Sequence, residues 1–417
     1  MNPELLHAFL AHHVDRRDAL KAAGAALAAG AVTATGAAPA TAAAPPGPAG
    51  RHPDDVPFDY ADPANLPDWT PSRYGPRDQR GTFNEITPAK TAAALALLDT
   101  RRPVTTYNLG ELMWNGFPAY KTEPRRSYEQ RLSVLGYTPP AEFTAQGGIL
   151  NSPHPLGTNR LSIHEERFAA ELSPKHPVPL ATTYQIGCQL DNLNHIGAGE
   201  YFYNGLRGPD IARGHGTLAL GAEHMGPVVT RAVVLDVLGV KLARNARRDL
   251  GAPAADGRPV LRGDYRITVE DIRDAMDFGR IRSVEPGDAV LFRTGWNHLL
   301  ARRDPADIRR WEGSEGVPGI YLREARHLAR LRPALIGGDT WALEVMGNAV
   351  NEDGAAYPVH QELIMRHGIR IAESYVLDGP AEDGVHEFVL VITPQFAEGA
   401  TAGNTPPAAL GQPRRRP

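Results

Sequence analysis

From Gly226 onwards the sequence alternates between short apolar runs and segments with helical signals. Three of these runs have the character of strands buried on both faces of a sheet: residues 228–237, 289–294 and 388–392. Residues 268–278 are predicted to form a helix, because Thr268 and Asp271 have the spacing of a capping box. The alternation of strands and helices predicts an α/β domain.

Further elements are predicted on both sides of these runs. Helices are predicted at residues 88–100, 322–331 and 360–367. Thr87 is the expected N-cap of the first helix, and Gly368 is the expected end of the last. Strands are predicted at residues 334–337 and 369–377. Residues 120–180 are rich in proline, glycine and charged residues without a clear period, so we expect an elaborated loop region that shapes a pocket.

The amino-terminal segment has the features of a twin-arginine export signal. Arg16 and Arg17 precede an apolar run, rich in alanine and glycine, at residues 22–33. This run is too short and too rich in glycine for a stable membrane span. We therefore expect residues 1–44 to be a cleaved signal peptide of a protein exported to the periplasm, cell wall or medium; the alternative is an uncleaved, disordered arm.

Composition bounds the rest of the chain. Residues 45–71, rich in proline and aspartate, predict an extended linker or strap, and residues 411–417 predict a disordered, solvated tail. The chain has 417 residues, of which 42% are hydrophobic, which is enough for a substantial core. Its formal net charge of -4 argues against nucleic acid as the main partner. Because Cys188 is the single cysteine, no intramolecular disulfide can form.

The segment 184–205 carries polar side chains at spacings suited to a metal site or an acid/base site. If this segment begins as a strand, Gln185, Gln189 and Asp191 face the same side, with neighbouring positions about 7 Å apart. His195 follows in a loop that is predicted to turn back over this polar face. The alternative is that these buried polar groups only satisfy backbone groups.

Cys188 suggests a different chemistry. It precedes His195 by seven residues, and such a pair could act as a cysteine nucleophile with its base. The alternation of a strand, however, points Cys188 away from Gln189 and Asp191. We therefore predict that Cys188 is a thiol packed in the core.

The same segment resembles the signature of the cyclase family of metal-dependent hydrolases, which includes bacterial kynurenine formamidases and isatin hydrolases. The signature is His-x-Gly-Thr-His-x-Asp-x-Pro-x-His, and Gly187, Asp191 and His195 match it. Four positions differ: Gln185 and Gln189 in place of the two metal-binding histidines, Cys188 in place of Thr, and Leu193 in place of Pro.

Other short motifs of the family occur in the same order along this chain, at residues 73–88, 203–205, 230–237, 285–296 and 338–340. The resemblance covers roughly residues 72–410, which we take as one cyclase-like hydrolase domain. It implies the family's swivelling β/β/α fold, with a mixed β core flanked by helices, and a small-molecule substrate. It also implies a homodimer or homotetramer, in which a neighbour's loop often completes the active site.

The resemblance further implies a set of site residues. The metal ligands would be Gln185, Gln189, Asp191, His360 and Glu373, and the catalytic histidine would be His195. Amide oxygens are weaker ligands than imidazole or carboxylate, so a two-zinc site is not expected. Instead we expect one divalent ion (Mn, Zn or Ca) with water in its coordination shell. Alternatively no metal binds, the glutamines hydrogen-bond the substrate, and Asp191 and His195 form an acid/base pair. No residues for an organic cofactor are identified.

Glu373 is an isolated acid among the apolar residues of its predicted strand, and a buried carboxylate needs a partner. Arg231 or Arg293 would be a structural partner and a metal ion a functional one; the resemblance favours the ion. Several aromatic side chains are candidates to line a pocket or, alternatively, to fill the core: Trp114, Phe117, Tyr201, Phe202 and Trp341.

Three functional hypotheses follow. The first is an exported hydrolase that opens a non-peptide amide, a cyclic imide or a lactone of a small molecule, with a metal ion assisting and His195 as acid/base. The second is a metal-independent lyase, dehydratase or cyclase that uses Asp191 and His195. The third is a secreted small-molecule binding protein on a decayed enzyme scaffold, motivated by the two missing histidines. It ranks last because Asp191, His195, His360 and Glu373 are all retained.

Overall fold

The chain folds around a mixed sheet of nine strands. The computed structural model describes residues 52–120, 126–154, 158, 160, 162–167, 183–351, 355–404 and 406–413. The predicted signal peptide, residues 1–44, lies outside this part of the chain, and so do residues 414–417 of the predicted tail. No helix among the described residues is long and apolar enough to cross a membrane.

The strands of the described residues are β1 (Thr105–Asn108), β2 (Arg131–Leu135), β3 (Ile149–Ser152), β4 (Ile163–Arg167), β5 (Gln189–Asp191), β6 (Ala212–Arg213), β7 (Gly216–Thr217), β8 (Val228–Asp236), β9 (Ala289–Arg293), β10 (Leu335–Gly338), β11 (Arg370–Glu373), β12 (Glu387–Ile392), β13 (Ala402–Gly403) and β14 (Ala408–Gly411). The large sheet has the order β1-β14-β12-β8-β9-β10-β11-β5-β13. Strands β8 to β11 are parallel to one another, and the strands on either side pair antiparallel. The predicted α/β class with a mixed β core is confirmed.

The α-helices of the described residues are α1 (Pro88–Leu95), α2 (Gly208–Ile211), α3 (Val237–Ala243), α4 (Val269–Gly279), α5 (Pro305–Trp311), α6 (Leu322–Ala329), α7 (Pro358–His360) and α8 (Asp378–Glu382). Helix α7 continues directly into a π-helix at Gln361–Arg366. Short 3-10 helices lie at Pro53–Asp55, Pro63–Asp68, Gly81–Glu85, Tyr203–Gly205, Ala222–His224, Arg247–Asp249, Trp296–Leu300 and Ala349–Asn351.

Strand β8 shows why the central strands are continuously apolar. Val233 and Leu235 pack in the cluster that contains Ile272 of α4 on one face of the sheet. Ala232 and Val234 belong to a second cluster on the other face. Because both faces are covered, hydrophobic residues are needed at every position rather than at alternate ones.

The predicted helix starts are confirmed by their caps. Thr268 Oγ1 accepts a hydrogen bond from Asp271 N at 3.2 Å, and Asp271 Oδ2 accepts one from Thr268 N at 2.9 Å. These bonds form the capping box that begins α4. Thr87 likewise caps α1 by accepting a hydrogen bond from Lys90 N at 3.1 Å. Helix α1 ends at Leu95, five residues before the predicted end at residue 100.

Three predictions were wrong in their extent. Residues 120–180 contain the three-stranded sheet β3-β2-β4 in their described part, rather than loop alone. Strand β5 covers only Gln189–Asp191, because Gly187 has a φ of 65° and ends the extended backbone before it. Strand β11 stops at Glu373 instead of residue 377, because Ser374 has a φ of 59°.

Two of the motif segments bind each other. Asn204 Oδ1 accepts a hydrogen bond from Ser72 N at 2.7 Å, and Asn204 Nδ2 donates to Gly75 O and Asp78 O. Tyr203 Oη donates to Asp78 Oδ2 at 2.7 Å. The segment that follows the polar loop after β5 is thereby fixed to the beginning of the domain.

Candidate active site

Polar side chains meet where β5 pairs with β11. In this antiparallel pair Gln189 lies directly opposite Glu373, and Asp191 follows on the same face of β5. His360 reaches the same place from the junction between α7 and the π-helix. Asp191, His360 and Glu373 are buried, with exposed fractions of 0%, 3% and 5%. A π-helical turn in this position is a local irregularity of the kind often found at functional sites.

The three buried groups converge closely enough to hold one ion. Asp191, His360 and Glu373 each offer a ligand atom, and these atoms lie within 4.8 Å of one another. His360 Nε2 is 3.8 Å from Asp191 Oδ2 and 3.3 Å from Glu373 Oε1. Imidazole nitrogen and carboxylate oxygen are both common ligands of divalent transition metals.

Glu344 orients His360, and sequence reasoning missed it. Its Oε1 lies 2.5 Å from His360 Nδ1, and its Oε2 accepts a hydrogen bond from Val359 N at 3.1 Å. Because Nδ1 donates to Glu344, Nε2 is the ring nitrogen that faces the cluster, and its lone pair would bind a cation once Nε2 loses its proton. Carboxylates fix metal-ligating histidines in other proteins in this way. No motif or period in the sequence marks Glu344, since it follows β10 in an irregular segment.

The two glutamines join the cluster through their amides. Gln189 Nε2 donates to Glu373 Oε2 at 2.7 Å, to Gln185 Oε1 at 2.9 Å and to Asp191 Oδ1 at 3.3 Å. Gln185 Nε2 in turn donates to Thr401 Oγ1 at 3.3 Å. Two buried oxygens, Gln189 Oε1 and Asp191 Oδ2, have no hydrogen-bond partner among the described residues. Buried acceptors without a partner are uncommon, and a bound cation would satisfy them.

His195 lies beside Asp191 at the end of a turn. His195 N donates to Asn192 O at 3.0 Å, which closes the turn after β5. His195 Nε2 is then 3.9 Å from Asp191 Oδ2. The His195 side chain keeps 17% of its surface exposed, more than the other residues of the cluster, so it stands between the buried cluster and solvent.

Burial and charge set the protonation of the cluster. Burial raises the pKa of Glu373, and the charge of Asp191 adds to the effect. Burial alone would lower the pKa of His360, but hydrogen bonds to Glu344 and Glu373 raise it to about 10. Burial lowers the pKa of His195, although the charge of Asp191 opposes this. A bound cation would change these values by favouring ionised carboxylates and neutral imidazole.

The donor set therefore fits one divalent cation. Asp191, His360 and Glu373 supply two carboxylates and an imidazole. The structural partners considered for Glu373 are engaged elsewhere. Arg231 pairs with Asp288 and Glu387, and Arg293 pairs with Asp236 and Asp378.

A series of aromatic rings leads from His360 away from the cluster. Three of the candidate aromatic residues, Trp114, Phe117 and Trp341, belong to this series. The series of ring contacts is Trp114–Phe117–Trp311–Trp341–Tyr120–Tyr357–His360, with centroid distances from 4.5 to 6.4 Å. The other two candidates lie elsewhere: Tyr201 packs against Trp69, and Phe202 packs against the main core.

Cys188 is in the core, as predicted. Its side chain is 5% exposed and packs in the cluster that also contains Leu190. Burial, followed by the nearby charge of Glu111, raises the pKa of the thiol well above its usual value. A raised pKa keeps the thiol protonated, so the chemistry of a cysteine nucleophile is not favoured here.

Comparison with protein families gives one match over more than half of the chain. The family called Cyclase, described as "Putative cyclase", matches residues 115–345. The chain belongs to the cyclase family. The matched segment contains Gln185, Gln189, Asp191 and His195 and ends one residue after Glu344.

One known structure supports the fold, and two others show a weaker similarity. A crystal structure described as a novel cyclase is 25% identical to this member of the cyclase family, with a TM-score of 0.62 over 82% of this chain and 99% of that chain. Isatin hydrolase A from Ralstonia solanacearum is 16% identical, with a TM-score of 0.47 over 77% of this chain and 95% of that chain. Isatin hydrolase A from Labrenzia aggregata is 16% identical, with a TM-score of 0.45 over 74% and 93%. A search of curated proteins found no match.

Proposed function

We propose that this cyclase-family protein is an exported hydrolase that opens a non-peptide amide, a cyclic imide or a lactone of a small molecule. One divalent ion would assist, and His195 would act as acid/base. The observation that carries the proposal is the convergence of Asp191, His360 and Glu373 around one point, with His195 beside Asp191. The ion would polarise the substrate carbonyl and make a bound water more acidic.

Each residue of the cluster has a role in this proposal. Asp191, His360 and Glu373 would hold the ion, and Glu344 would keep Nε2 of His360 directed towards it. Gln185 and Gln189 stand where the family signature has histidines. An amide oxygen in place of a histidine would favour binding of manganese or calcium over zinc. Zinc is tested together with these two ions.

His195 would move the proton of the reaction. Because burial lowers its pKa, the imidazole is neutral at neutral pH and can accept a proton from the attacking water. The protonated ring is then stabilised by Asp191, whose Oδ2 lies 3.9 Å away. His195 returns the proton to the leaving nitrogen or oxygen as the ring or ester bond breaks. The aromatic series from Trp114 to Tyr357 would contact the organic part of the substrate.

One observation supports a metal-independent alternative, a lyase, dehydratase or cyclase run by Asp191 and His195. Gln189 Nε2 donates to both Asp191 and Glu373. This nitrogen therefore lies where a cation would contact the two carboxylates. A neutral amide can thus bridge the two acids without an ion. In this case Gln185 and Gln189 would bind the substrate by hydrogen bonds.

Metal content decides between the two functions. The full-length protein would be purified without chelators, analysed by elemental mass spectrometry and assayed against a panel of amides, cyclic imides and lactones. About one equivalent of Mn, Zn or Ca, with activity lost on chelation and restored by the ion, supports the hydrolase. Active protein without metal supports the alternative, and saturable ligand binding without turnover contradicts both.

His195→Ala tests the acid/base role. Turnover is expected to fall by about 10²- to 10⁴-fold, while metal content and melting temperature stay at the wild-type values. His224→Ala is a matched control, because His224 is also partly exposed and lies next to a carboxylate, Glu223. Full activity in His195→Ala would refute the assignment.

Gln189→His tests the role given to the glutamines. If Gln189 stands at a ligand position, histidine there adds an imidazole donor and should raise zinc affinity by about tenfold or more. The measurement is competition with a zinc-binding dye, with Gln412→His as control, since Gln412 hydrogen-bonds residues of the segment 99–103 instead. Equal zinc affinity in both variants would argue against a metal at this position.

Three broader features are also proposals. Export rests on Arg16 and Arg17 before an apolar run, and replacing both by lysine should retain the protein in the cytoplasm. Residues 72–410 are proposed as the hydrolase domain, preceded by a linker or strap at 45–71. A homodimer or homotetramer is proposed by analogy with the family, and light scattering coupled to gel filtration tests it.

A further inference from the structure

A cavity borders the segment that carries the candidate active site. Gln185 and Gln189 of this segment join the polar cluster, whereas Tyr184, Ile186 and Cys188 line the cavity. The cavity has a volume of about 470 Å³, which lies in the range of small-molecule pockets. Its wall is therefore formed by the alternate residues of the same stretch of chain.

The lining of this cavity is mainly apolar and aromatic. Met113, Tyr128, Tyr184 and Ile186 contribute most of its large side chains. Asn404 holds one wall in place by donating from Nδ2 to Ile186 O at 2.7 Å. None of the described residues that line the cavity is lysine, arginine or histidine. These described residues therefore offer no positive charge to an anionic ligand.

Glu111 is the one carboxylic acid among the described residues that line the cavity. Both of its carboxylate oxygens are buried, and neither has a hydrogen-bond partner among the described residues. A buried carboxyl without a partner costs free energy, and a bound ligand, ion or water is what completes such a group in a native protein. Burial and the charge of Asp339 raise the pKa of Glu111 well above its usual value, which reflects the same missing partner.

The backbone beside Glu111 is shaped to accommodate it. Gly187 has a φ of 65°, and a Cβ there would lie 2.5 Å from Met113 Sδ and 3.7 Å from Glu111 Oε2. The carboxyl group and the thioether thus lie directly against the bare backbone of Gly187. A side chain at this position would displace Met113 and narrow the cavity next to Glu111.

We propose that this cavity binds a small organic amine. The ammonium group donates to the two oxygens of Glu111, which have no donor among the described residues, and the apolar body packs against Met113, Tyr128 and Ile186. The rings of Tyr128 and Tyr184 add cation–π attraction for the ammonium group. The inference does not depend on the proposed hydrolase activity, because none of the cavity-lining residues belongs to the Asp191–His360–Glu373 cluster.

The test uses 2-phenylethylamine as the probe and isothermal titration calorimetry on the full-length protein. Wild type is expected to bind one equivalent, and Glu111→Gln to bind it about 10- to 100-fold more weakly, because a charge-assisted hydrogen bond is lost. The uncharged 2-phenylethanol and the anionic 3-phenylpropionate should bind at least tenfold more weakly than the amine. Glu142→Gln, which changes an exposed carboxylate, should leave the affinity unchanged.

Glu111→Leu separates a ligand-binding role from a structural one. If the carboxyl has no internal partner, leucine should abolish amine binding while the melting temperature stays equal to the wild-type value or rises. The affinity for the amine should also be unchanged in His195→Ala, which lies in the other site. The proposal is overturned if wild type shows no saturable binding, if the Glu111 variants bind as wild type does, or if His195→Ala loses the amine.

Discussion

Glu344→Gln is the substitution that most directly tests how the candidate metal cluster is built. In the wild type the two oxygens of Glu344 accept one hydrogen bond each, from His360 Nδ1 and from Val359 N. Both donors are fixed, since one belongs to a buried ring and the other to the backbone. Glutamine has nearly the same shape but can accept through only one of its two terminal atoms.

The magnitude follows from the two orientations of the glutamine amide. If its oxygen faces His360, its NH₂ group opposes the N–H of Val359, and one buried donor is left without an acceptor. If its oxygen faces Val359, its NH₂ group opposes Nδ1 of His360 and forces the proton onto Nε2, the atom that would bind the metal. Either outcome costs about 1–3 kcal/mol. The unpaired Val359 donor of the first orientation costs the same with and without metal. The second orientation blocks the metal-binding nitrogen, and through it metal affinity is expected to fall by about 10- to 100-fold.

The assay is competition for the ion with a metal-binding dye, read together with the melting temperature of the metal-free protein. Glu142→Gln, an exposed carboxylate, serves as control and should behave as wild type. Metal affinity within twofold of wild type in Glu344→Gln would refute the argument, even if the melting temperature falls, because the role of Glu344 would then be structural only.

Two further predictions concern stability. Burial by itself would raise the pKa of Glu362, but hydrogen bonds from His367 and Arg326 lower it from 4.5 to about 2. The ionised carboxylate therefore contributes about 3 kcal/mol to the free energy of unfolding above pH 4.5, and this contribution is lost as the pH falls towards 2. Urea unfolding of wild type and Glu362→Gln between pH 6 and pH 3 measures this, and parallel curves would contradict it. Gly187→Ala should lower the free energy of unfolding by about 1–2 kcal/mol, because it adds left-handed strain and a clash that the end of the Met113 side chain must move to relieve. Gly384→Ala has the same strain (φ of 66°) without any neighbour within 4 Å, so thermal unfolding should show a smaller loss, and equal losses would refute the clash.

The large sheet could be predicted from the sequence because its central strands are buried on both faces. In β8 and β9 hydrophobic side chains fill both sides of the sheet, and the resulting apolar runs stand out against polar loops. The cap of α4 was predictable for a local reason, since Thr268 and Asp271 satisfy each other's backbone donors within one turn.

The small sheet was missed because its strands lack that pattern. Leu150 in β3 and Ile163 in β4 are 38% and 41% exposed, so hydrophobic positions do not mark a buried face. The end of β11 was missed for another reason. Ser374 takes a positive φ, which only tertiary contacts such as the hydrogen bond from Ser374 N to Thr340 O can impose on a residue that is not glycine.

The candidate site was predictable in its list of residues but not in its charge balance. Position along the chain and family resemblance were enough to select Asp191, His360 and Glu373, which the fold brings within reach of one ion. They could not select Glu344, because its contact with His360 depends on how an irregular segment after β10 packs. The residues selected from the sequence therefore gave two carboxylates for the one imidazole of His360. In the folded cluster this imidazole has three carboxylates around it.

This third carboxylate changes the argument about the two glutamines. Asp191, Glu344 and Glu373 are all buried, and a protonated His360 balances only one of their charges, while Arg126 adds a positive charge close enough to lower the pKa of Glu373. A neutral amide can donate hydrogen bonds to two of these acids, but it cannot neutralise them. Without a cation, the cluster must hold a proton on one of its acids, and the raised pKa of Glu373 expresses that need. The glutamines at positions 185 and 189 are a reason to doubt that a metal binds. The excess of buried negative charge is a stronger physical reason to expect a divalent ion here.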